Sequence, residues 1–454
     1  MQFELTKDML DDLKDYIATG QDSKIVGFIN ELHAADIAEL LDEVKMSEAI
    51  YLYKLLDDQN AADVLVELED DVREKLLESL TSKEIAGIVT DKIDSDDAAD
   101  VIAELPSDKK SEVISLIDDD EQVSDIVDLL AHPEDSAGGI MAKELIVVQK
   151  DWTLSEAFRE LIKQASDIDE VYSVYVVDEK NRLLGTLSLR RLLINSKNPQ
   201  ALIESIYNKE DLISVEVDQP AEEVAIIMQK YDLVVVPVID KEHHLLGRIT
   251  IDDVVDLVTE EAEKDYQMAS GISENVESDD SIVVQLRGRL PWILIGMFGG
   301  LLASQVIGKF ETQLSLIPAM ALFIPLIIAT GGNVGVQSAA LVVQGLANKS
   351  LKLDNLVGKL MRELAVGLIN GLICAVLLYG YAYFMGFGFE LANTISVSLF
   401  IVIIFSSLFG TFIPIFLNGI KIDPAFATGP FITTANDVLG LFIYFVVGQL
   451  MFGI

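Results

Sequence analysis

The chain has 454 residues, half of them hydrophobic, with 74 acidic and 33 basic side chains and a net charge of −41. Only six acidic and six basic residues follow position 290, so the first 290 carry 68 and 27 and with them the entire excess. That balance argues against nucleic acid as a partner, because phosphate binding needs a basic face, and it suits cations instead.

Other classes fall away on residue chemistry. The single Cys374 lies in an apolar stretch, and His33, His132, His243 and His244 show no zinc spacing. The first residues lack a basic segment followed by an apolar core, so no cleaved signal peptide is expected. There is no Gly-Lys-Ser/Thr phosphate loop, nucleophile–base pair or zinc motif, so an enzyme is not expected.

Residues 1–131 contain Ala34-Ala35-Asp36, Ala61-Ala62-Asp63 and Ala98-Ala99-Asp100, each followed by an apolar helical pattern. Short helices at recurring spacing predict an acidic, all-α superhelix. Each Asp is also a candidate for supporting the first turn of a helix. The run His132-Pro133-Glu134-Asp135-Ser136-Ala137-Gly138-Gly139 reads as a linker.

Two copies of one α/β unit follow, over 132–200 and 201–258. Residues 174–193 (VYVVDEKNRLLGTLSLRRLL) align without a gap with 236–255 (VPVIDKEHHLLGRITIDDVV), 62 residues on, sharing Leu-Leu-Gly. Each is a strand, an Asp-containing turn, a strand and a helix, with a further helix before it. An acidic helical stretch, 259–288, then leads to the apolar region 289–454.

That region holds five apolar stretches: about Leu290 to Ile307, Leu316 to Leu346, Leu364 to Met385, Ile395 to Leu417 and Ala425 to Phe452. Each is long enough to cross a bilayer as a helix. The second contains Pro318, Pro325 and the polar run Thr330-Gly331-Gly332-Asn333-Val334-Gly335-Val336-Gln337-Ser338. Basic residues cluster before the first span (Arg287, Arg289) and between the second and third (Lys349, Lys352, Lys359, Arg362), while the next loop carries Glu390 and none. The positive-inside rule then places the acidic half in the cytoplasm and the C-terminus outside a plasma membrane.

Asp437 is the acidic residue expected deepest in this region. Counted from Pro424 it lies about 20 Å into the last span, near the bilayer midplane. A carboxylate there costs several kcal/mol unless water, a cation or a partner compensates it, which points to an ion pathway. The competing reading is an Asp satisfied by Thr433 and Thr434, or one held protonated.

The Ala-Ala-Asp repeats, the paired α/β units and the five spans together resemble the MgtE family of magnesium channels. Arg289-Leu290-Pro291-Trp292, Thr330-Gly331-Gly332-Asn333 and the Pro424-to-Asp437 run are similar to its membrane motifs, and the repeats resemble tandem CBS domains. The resemblance implies a homodimer with a pore lined by the second and fifth spans, and Asp437 as its central Mg²⁺ ligand. It also implies that Mg²⁺ at acidic cytoplasmic interfaces closes the pore, through the helix at 259–288.

The chemistry is consistent with this. Mg²⁺ prefers octahedral oxygen ligands and sheds water reluctantly, so one Asp per subunit and neutral oxygens from Asn333, Gln337, Thr433, Thr434 and Asn436 would suit its hydrated form. Candidate regulatory ligands are Asp96 and Asp100, four apart on one helix face, with Asp63, Glu222, Asp232, Asp253, Asp256, Glu261 and Asp265. Thr250-Ile251-Asp252-Asp253 fits the Thr-x-x-Asp pattern by which many CBS modules hold a ribose, so an adenine nucleotide such as ATP is a candidate ligand at Thr250 and Asp253. The first copy departs from it with Ser188-Leu189-Arg190-Arg191. Two alternatives stand beside Mg²⁺ transport: a carrier for Co²⁺ or Mn²⁺, and a membrane-anchored nucleotide sensor.

Overall fold

Short, acidic, amphipathic segments, each too short to be stable alone, open the chain. The computed structural model describes residues 5–453, apart from 91, 166–167, 169–170, 210–211, 274–275, 277–280, 348–355, 423 and 428. It is mostly helical and forms two bodies, Met1–Val258 and Thr259–Ile454.

The first body begins with ten helices among the described residues, α1 (Lys7–Thr19) to α10 (Asp120–Leu129), including α3 (Ala34–Asp42), α5 (Asp58–Glu67) and α8 (Ser95–Ala103). They bury one continuous core that includes Ile37, Leu41, Ala62, Leu65, Ala98 and Ile102. The three Ala-Ala-Asp repeats differ in role. Asp36 lies in the first turn of α3 and accepts from the His33 N–H at 3.4 Å, as expected of a cap. Asp63 and Asp100 instead sit in the sixth positions of α5 and α8, beyond the first turn. Within α8, Ala98 faces the helical core and Ala99 the core of the second α/β repeat. Two adjacent small residues let one helix pack on both sides.

The expected linker after α10 is built into the second repeat. The Ala137 N–H donates to the Gln219 carbonyl at 2.7 Å and the Gly138 N–H to that of Val217 at 2.9 Å. Each repeat then forms a three-stranded sheet. In the first, β1 (Ile146–Gln149) runs parallel to β2 (Val174–Val177), which is antiparallel to β3 (Leu183–Leu187). The helices α11 (Leu154–Gln164) and α12 (Leu189–Asn195) complete it. In the second, β4 (Val215–Glu216), β5 (Val235–Ile239) and β6 (Leu245–Thr250) repeat that order, with α13 (Ala221–Tyr231) and α14 (Ile251–Ala269).

The 62-residue spacing has a direct structural expression. The Leu183 N–H donates to the His243 carbonyl at 2.9 Å, and the Leu245 N–H to the Asn181 carbonyl at 3.0 Å. Asn181 and His243, equivalent residues, both adopt positive φ, 58° and 67°. The paired glycines of Leu-Leu-Gly admit crossing chain: a Cβ at Gly185 would overlap the Asn208 carbonyl, and one at Gly247 would lie 2.7 Å from that of Ala142. Gly185→Ala should therefore destabilise this body by about 1–3 kcal/mol, as overpacking does. Thermal unfolding of the purified protein checks this, and an unchanged midpoint would refute it.

The second body contains five helices long and apolar enough to cross a membrane. They are α15 (Ile282–Lys309), α17 (Ile324–Ala347), α18 (Leu356–Phe384), α19 (Phe389–Gly419) and α20 (Gly429–Phe452), with the short α16 (Glu311–Leu316) after α15. Each of the five differs from its hydropathic stretch. α15 and α18 both begin eight residues earlier, because helix continues through charged positions that hydropathy ends on. Pro318 opens a 3₁₀ turn, Pro318–Phe323, and Pro325 falls in the first turn of α17, where its missing N–H costs nothing. α20 starts at Gly429, after a 3₁₀ turn at Pro424–Ala427.

α19 is the central element, packing against α17, α18 and α20. Three of its hydroxyls bond to its own backbone, Thr394 to the Glu390 carbonyl at 2.8 Å, Ser396 to that of Ala392 and Ser398 to that of Thr394, both at 2.7 Å. A Cβ at Gly410 would overlap the Gly335 carbonyl, so these glycines set the approach of α17 to α19.

Candidate ion pathway and candidate metal centre

Asp437 is the ninth residue of α20, eight steps from Gly429. That is about 12 Å along the axis, nearer the helix start than its distance from Pro424 predicts. The earlier residues of its run wind into a 3₁₀ turn and do not lengthen α20.

The carboxylate faces α17. A Cβ at Gly332 would stand 3.2 Å from Asp437 Oδ1 and 3.3 Å from the Thr433 methyl, so glycine keeps this side of α17 open. Oδ1 is buried and has no hydrogen-bond partner among the described residues. Neither neighbouring threonine hydroxyl bonds to it among the described residues. Thr433 Oγ1 donates to the Gly429 carbonyl at 3.0 Å, and the Thr434 side chain packs on Gly299 of α15.

The other expected lining residues separate into two sets. Asn333 and Gln337, one turn apart on α17, are exposed on the surface of this body. Asn436 is fully buried, where its amide lies against the bare backbone of Gly335, and neither of its polar atoms has a partner among the described residues. Asp437, Thr433 and the Gly332 surface therefore come together, with Asn436 packed further along α17 against Gly335 and Thr434 turned toward α15.

In the first body the acidic residues converge at the start of α8. Ligand oxygens of Asp94, Asp96 and Glu144 lie within 4.8 Å of one another, the one such trio among the described residues. Ser95 orients Glu144, donating its N–H to Oε1 at 3.1 Å and its hydroxyl to Oε2 at 3.0 Å. Arg248 Nη2 stands 3.6 Å from Asp94 Oδ2. Asp96 Oδ1 is buried with no partner among the described residues.

Electrostatics mark this cluster as strained without a cation. Burial, then the charges of Asp97, Asp253, Glu144 and Asp94, raise Asp96 well above the ordinary carboxylate range. Asp97 is pushed up to about 7 by burial and by Asp253, Asp94 and Asp100. Hard carboxylate oxygens with one orphaned atom fit a magnesium-like ion, which would be held by Asp94, Asp96 and Glu144.

Of the residues expected here, Asp96 is a member of the trio, and Asp253 and Asp100 are charged neighbours. Sequence reasoning misses Asp94 and Glu144, since Glu144 lies 48 residues from Asp96 and only folding joins them. Asp63 accepts from Gln59 Nε2 at 2.9 Å. Glu222 and Asp265 are exposed, Asp232 caps α13 in a left-handed conformation, and Glu261 pairs with Lys264 at 3.0 Å. Asp256 lies exposed on α14. Thr250 and Asp253 form a local helix start, the Thr250 hydroxyl donating to Asp253 Oδ2 at 2.6 Å and its N–H to the same oxygen at 3.1 Å.

Known proteins share these parts in this order. Residues 32–135 match the MgtE intracellular N domain, 137–197 and 203–260 match CBS domains, and 324–447 match MgtE, described as a divalent cation transporter. The magnesium transporter MgtE of Thermus thermophilus is 32% identical over 442 residues, 97% of each chain. That of Bacillus subtilis is 33% identical over 430 residues, 94% of each. The cytosolic domain of the Mg²⁺ channel MgtE in complex with ATP aligns at a TM-score of 0.51 with 31% identity, over 55% of this chain and 99% of that one. With identity of this level across nearly its whole length, and every part in the same order, the chain belongs to the MgtE family of divalent cation transporters.

Proposed function

We propose that this protein conducts Mg²⁺ into the cytoplasm past Asp437 and is closed by Mg²⁺ binding to its acidic first body. The observation that carries the reading is the unpartnered Asp437 carboxylate oxygen, Oδ1, against the open face of Gly332. Relatives named as magnesium transporters support this cargo over Co²⁺ or Mn²⁺, and a transporter over a membrane-anchored sensor.

The conducting form is a homodimer. Asn333 and Gln337 are exposed on a helix long enough to span a membrane, and amides facing hydrocarbon are costly. A second copy covers them and sets two Asp437 carboxylates about one axis, which favours a divalent ion. Exposed Leu193 and Ile194 on α12, 66% and 64% accessible, give the first body an apolar face for the same partnership. Arg287, Arg289, Lys359 and Arg362 support a first body in the cytoplasm and a C-terminus outside; Lys349 and Lys352, read with them from the sequence, lie outside the described residues.

Closure follows from the acidic cluster. A cation among Asp94, Asp96 and Glu144 relieves their repulsion and ties α8 to the segment before β1, so Mg²⁺ stabilises the compact form. The population shift is limited by the difference in Mg²⁺ affinity between the two forms. The test is Mg²⁺ flux into liposomes holding the purified protein, with internal Mg²⁺ varied. Flux that internal Mg²⁺ suppresses supports the reading; absence of flux at every internal concentration refutes it.

A pH effect accompanies it. With metal removed, the folded protein holds protons at Asp96 and Asp97 that the unfolded chain releases. Stability therefore falls as pH rises from the ordinary carboxylate range through about 7. The thermal midpoint in chelator should be higher at pH 6 than at pH 8, and saturating Mg²⁺ should shrink the difference. A midpoint that rises with pH would contradict the charge arrangement.

Nucleotide binding is a second property of the first body. Its ATP-bound relative favours it, as does a cleft of about 130 Å³ lined by Ser173, Tyr175, Thr186, Ile213, Val235 and Pro237. The Tyr175 hydroxyl is buried there with no partner among the described residues. Thr250 and Asp253 are not in that lining, and both Thr250 bonds go to Asp253 Oδ2, which leaves Oδ1 as the acceptor for a ribose hydroxyl. Calorimetric titration with ATP tests this, and no heat in wild type removes it.

A further inference from the structure

The eight residues by which α18 outruns its hydropathic stretch bring a second carboxylate, Glu363, inside a candidate membrane span. Its Oε1 accepts two hydrogen bonds from two different helices. Ser338 Oγ of α17 donates at 2.6 Å and Ser407 Oγ of α19 at 2.5 Å. Ser338 and Ser407 are 5% and 1% exposed, so both donors are sealed from solvent by packing.

The surrounding small residues permit this junction. A Cβ at Gly367, one turn on from Glu363, would lie 3.3 Å from the Ser407 side chain, and one at Gly371 3.3 Å from the Phe400 carbonyl. Glycine at both positions brings α18 close to α19, near enough for the carboxylate to reach across to α17 as well.

Ser338 lies six residues beyond Gly332, about 120° round α17. One helix thus carries on one side the surface that faces Asp437 and on another the hydroxyl held by Glu363. Glu363 is the eighth residue of α18, beside Arg362 at the basic end of the helix, and apolar residues could pack three helices there without a carboxylate. What it adds is direction: hydrogen bonds set the rotation of α17 more narrowly than apolar contact does.

We infer that Glu363 is a positioning residue for the ion pathway, fixing the rotation of α17 against α18 and α19 through Ser338 and Ser407 and with it the face that α17 presents to Asp437. It does not touch the ion. The inference rests on the reading of Asp437 as the pathway residue, and it predicts that loosening α17 changes which ion is preferred as well as how fast ions pass.

The experiment compares Mg²⁺ and Ca²⁺ flux per folded protein in liposomes for wild type, E363A, E363Q, S338A and D437A. E363A should lower Mg²⁺ flux at least tenfold and the preference for Mg²⁺ over Ca²⁺ at least threefold. E363Q keeps an acceptor oxygen and should recover at least a third of wild-type flux. S338A, a mild change that keeps the protein folded if E363A does not, should reproduce the threefold loss of preference. Wild-type flux and preference in S338A, or E363Q as impaired as a folded E363A, would overturn the inference. Wild-type flux in D437A would instead remove the pathway reading beneath it.

Discussion

Alanine at Asp437 should lower Mg²⁺ flux at least a hundredfold while leaving the protein folded. The carboxylate has no hydrogen-bond partner on Oδ1 among the described residues, so truncation leaves no donor there unsatisfied. In the proposed pathway what disappears is the charge that compensates Mg²⁺ inside a low-dielectric span, and the proposed homodimer would lose two at once. Asn at the same position keeps the volume and a neutral oxygen, and should recover less than a tenth of the flux. Liposome uptake read by an internal Mg²⁺ dye measures both. Flux in D437A within threefold of wild type would take Asp437 out of the pathway.

Neutralising the acidic junction should have the next largest effect, on regulation and not on conduction. In a D94N/E144Q variant Asp96 remains, but two of the three charges that would hold the cation are gone. The internal Mg²⁺ concentration that halves flux should rise at least tenfold, equivalent to about 1.4 kcal/mol of lost coupling. Flux at low internal Mg²⁺ should stay near wild type, because the proposed pathway residue, Asp437, lies in the other body. The amide that E144Q introduces still offers the Ser95 hydroxyl an acceptor oxygen, so α8 keeps its local order. An unchanged half-blocking concentration would place the sensor elsewhere among the cytoplasmic carboxylates.

Much of the architecture is legible because local patterns carry it. The gap-free repeat at 62 residues predicts two equivalent units, and Leu183 and Leu245 exchange backbone bonds with His243 and Asn181 as equivalents. Five apolar stretches appear as five long helices, since length and hydropathy are properties of contiguous residues. Helix ends are less legible. Hydropathy stops at charge, whereas helix propensity does not, and so hydropathy leaves Glu363 outside the third span although it lies inside α18. The same limit puts Asp437 too deep, by counting a 3₁₀ turn as helix.

Chemistry at the level of single residues divides along the same line. Asp437 stands out alone because an acid in an apolar run is conspicuous wherever the chain folds. Asn436, next to it, looks equally fit for a pathway, yet the 100° between neighbours on a helix turns it into the core against Gly335. Asp36, Asp63 and Asp100 share one motif, and only Asp36 falls in a first turn.

The sequence by itself determined the order of parts, the number of long apolar helices, the segregation of charge and the one conspicuous membrane acid. All of these depend on residues adjacent in the chain. The tertiary structure alone decided that Glu144 meets Asp94 and Asp96, that Glu363 joins Ser338 to Ser407, and that Asp437 faces Gly332. Those depend on helix rotation and on contacts between distant residues, which packing sets and no local pattern records.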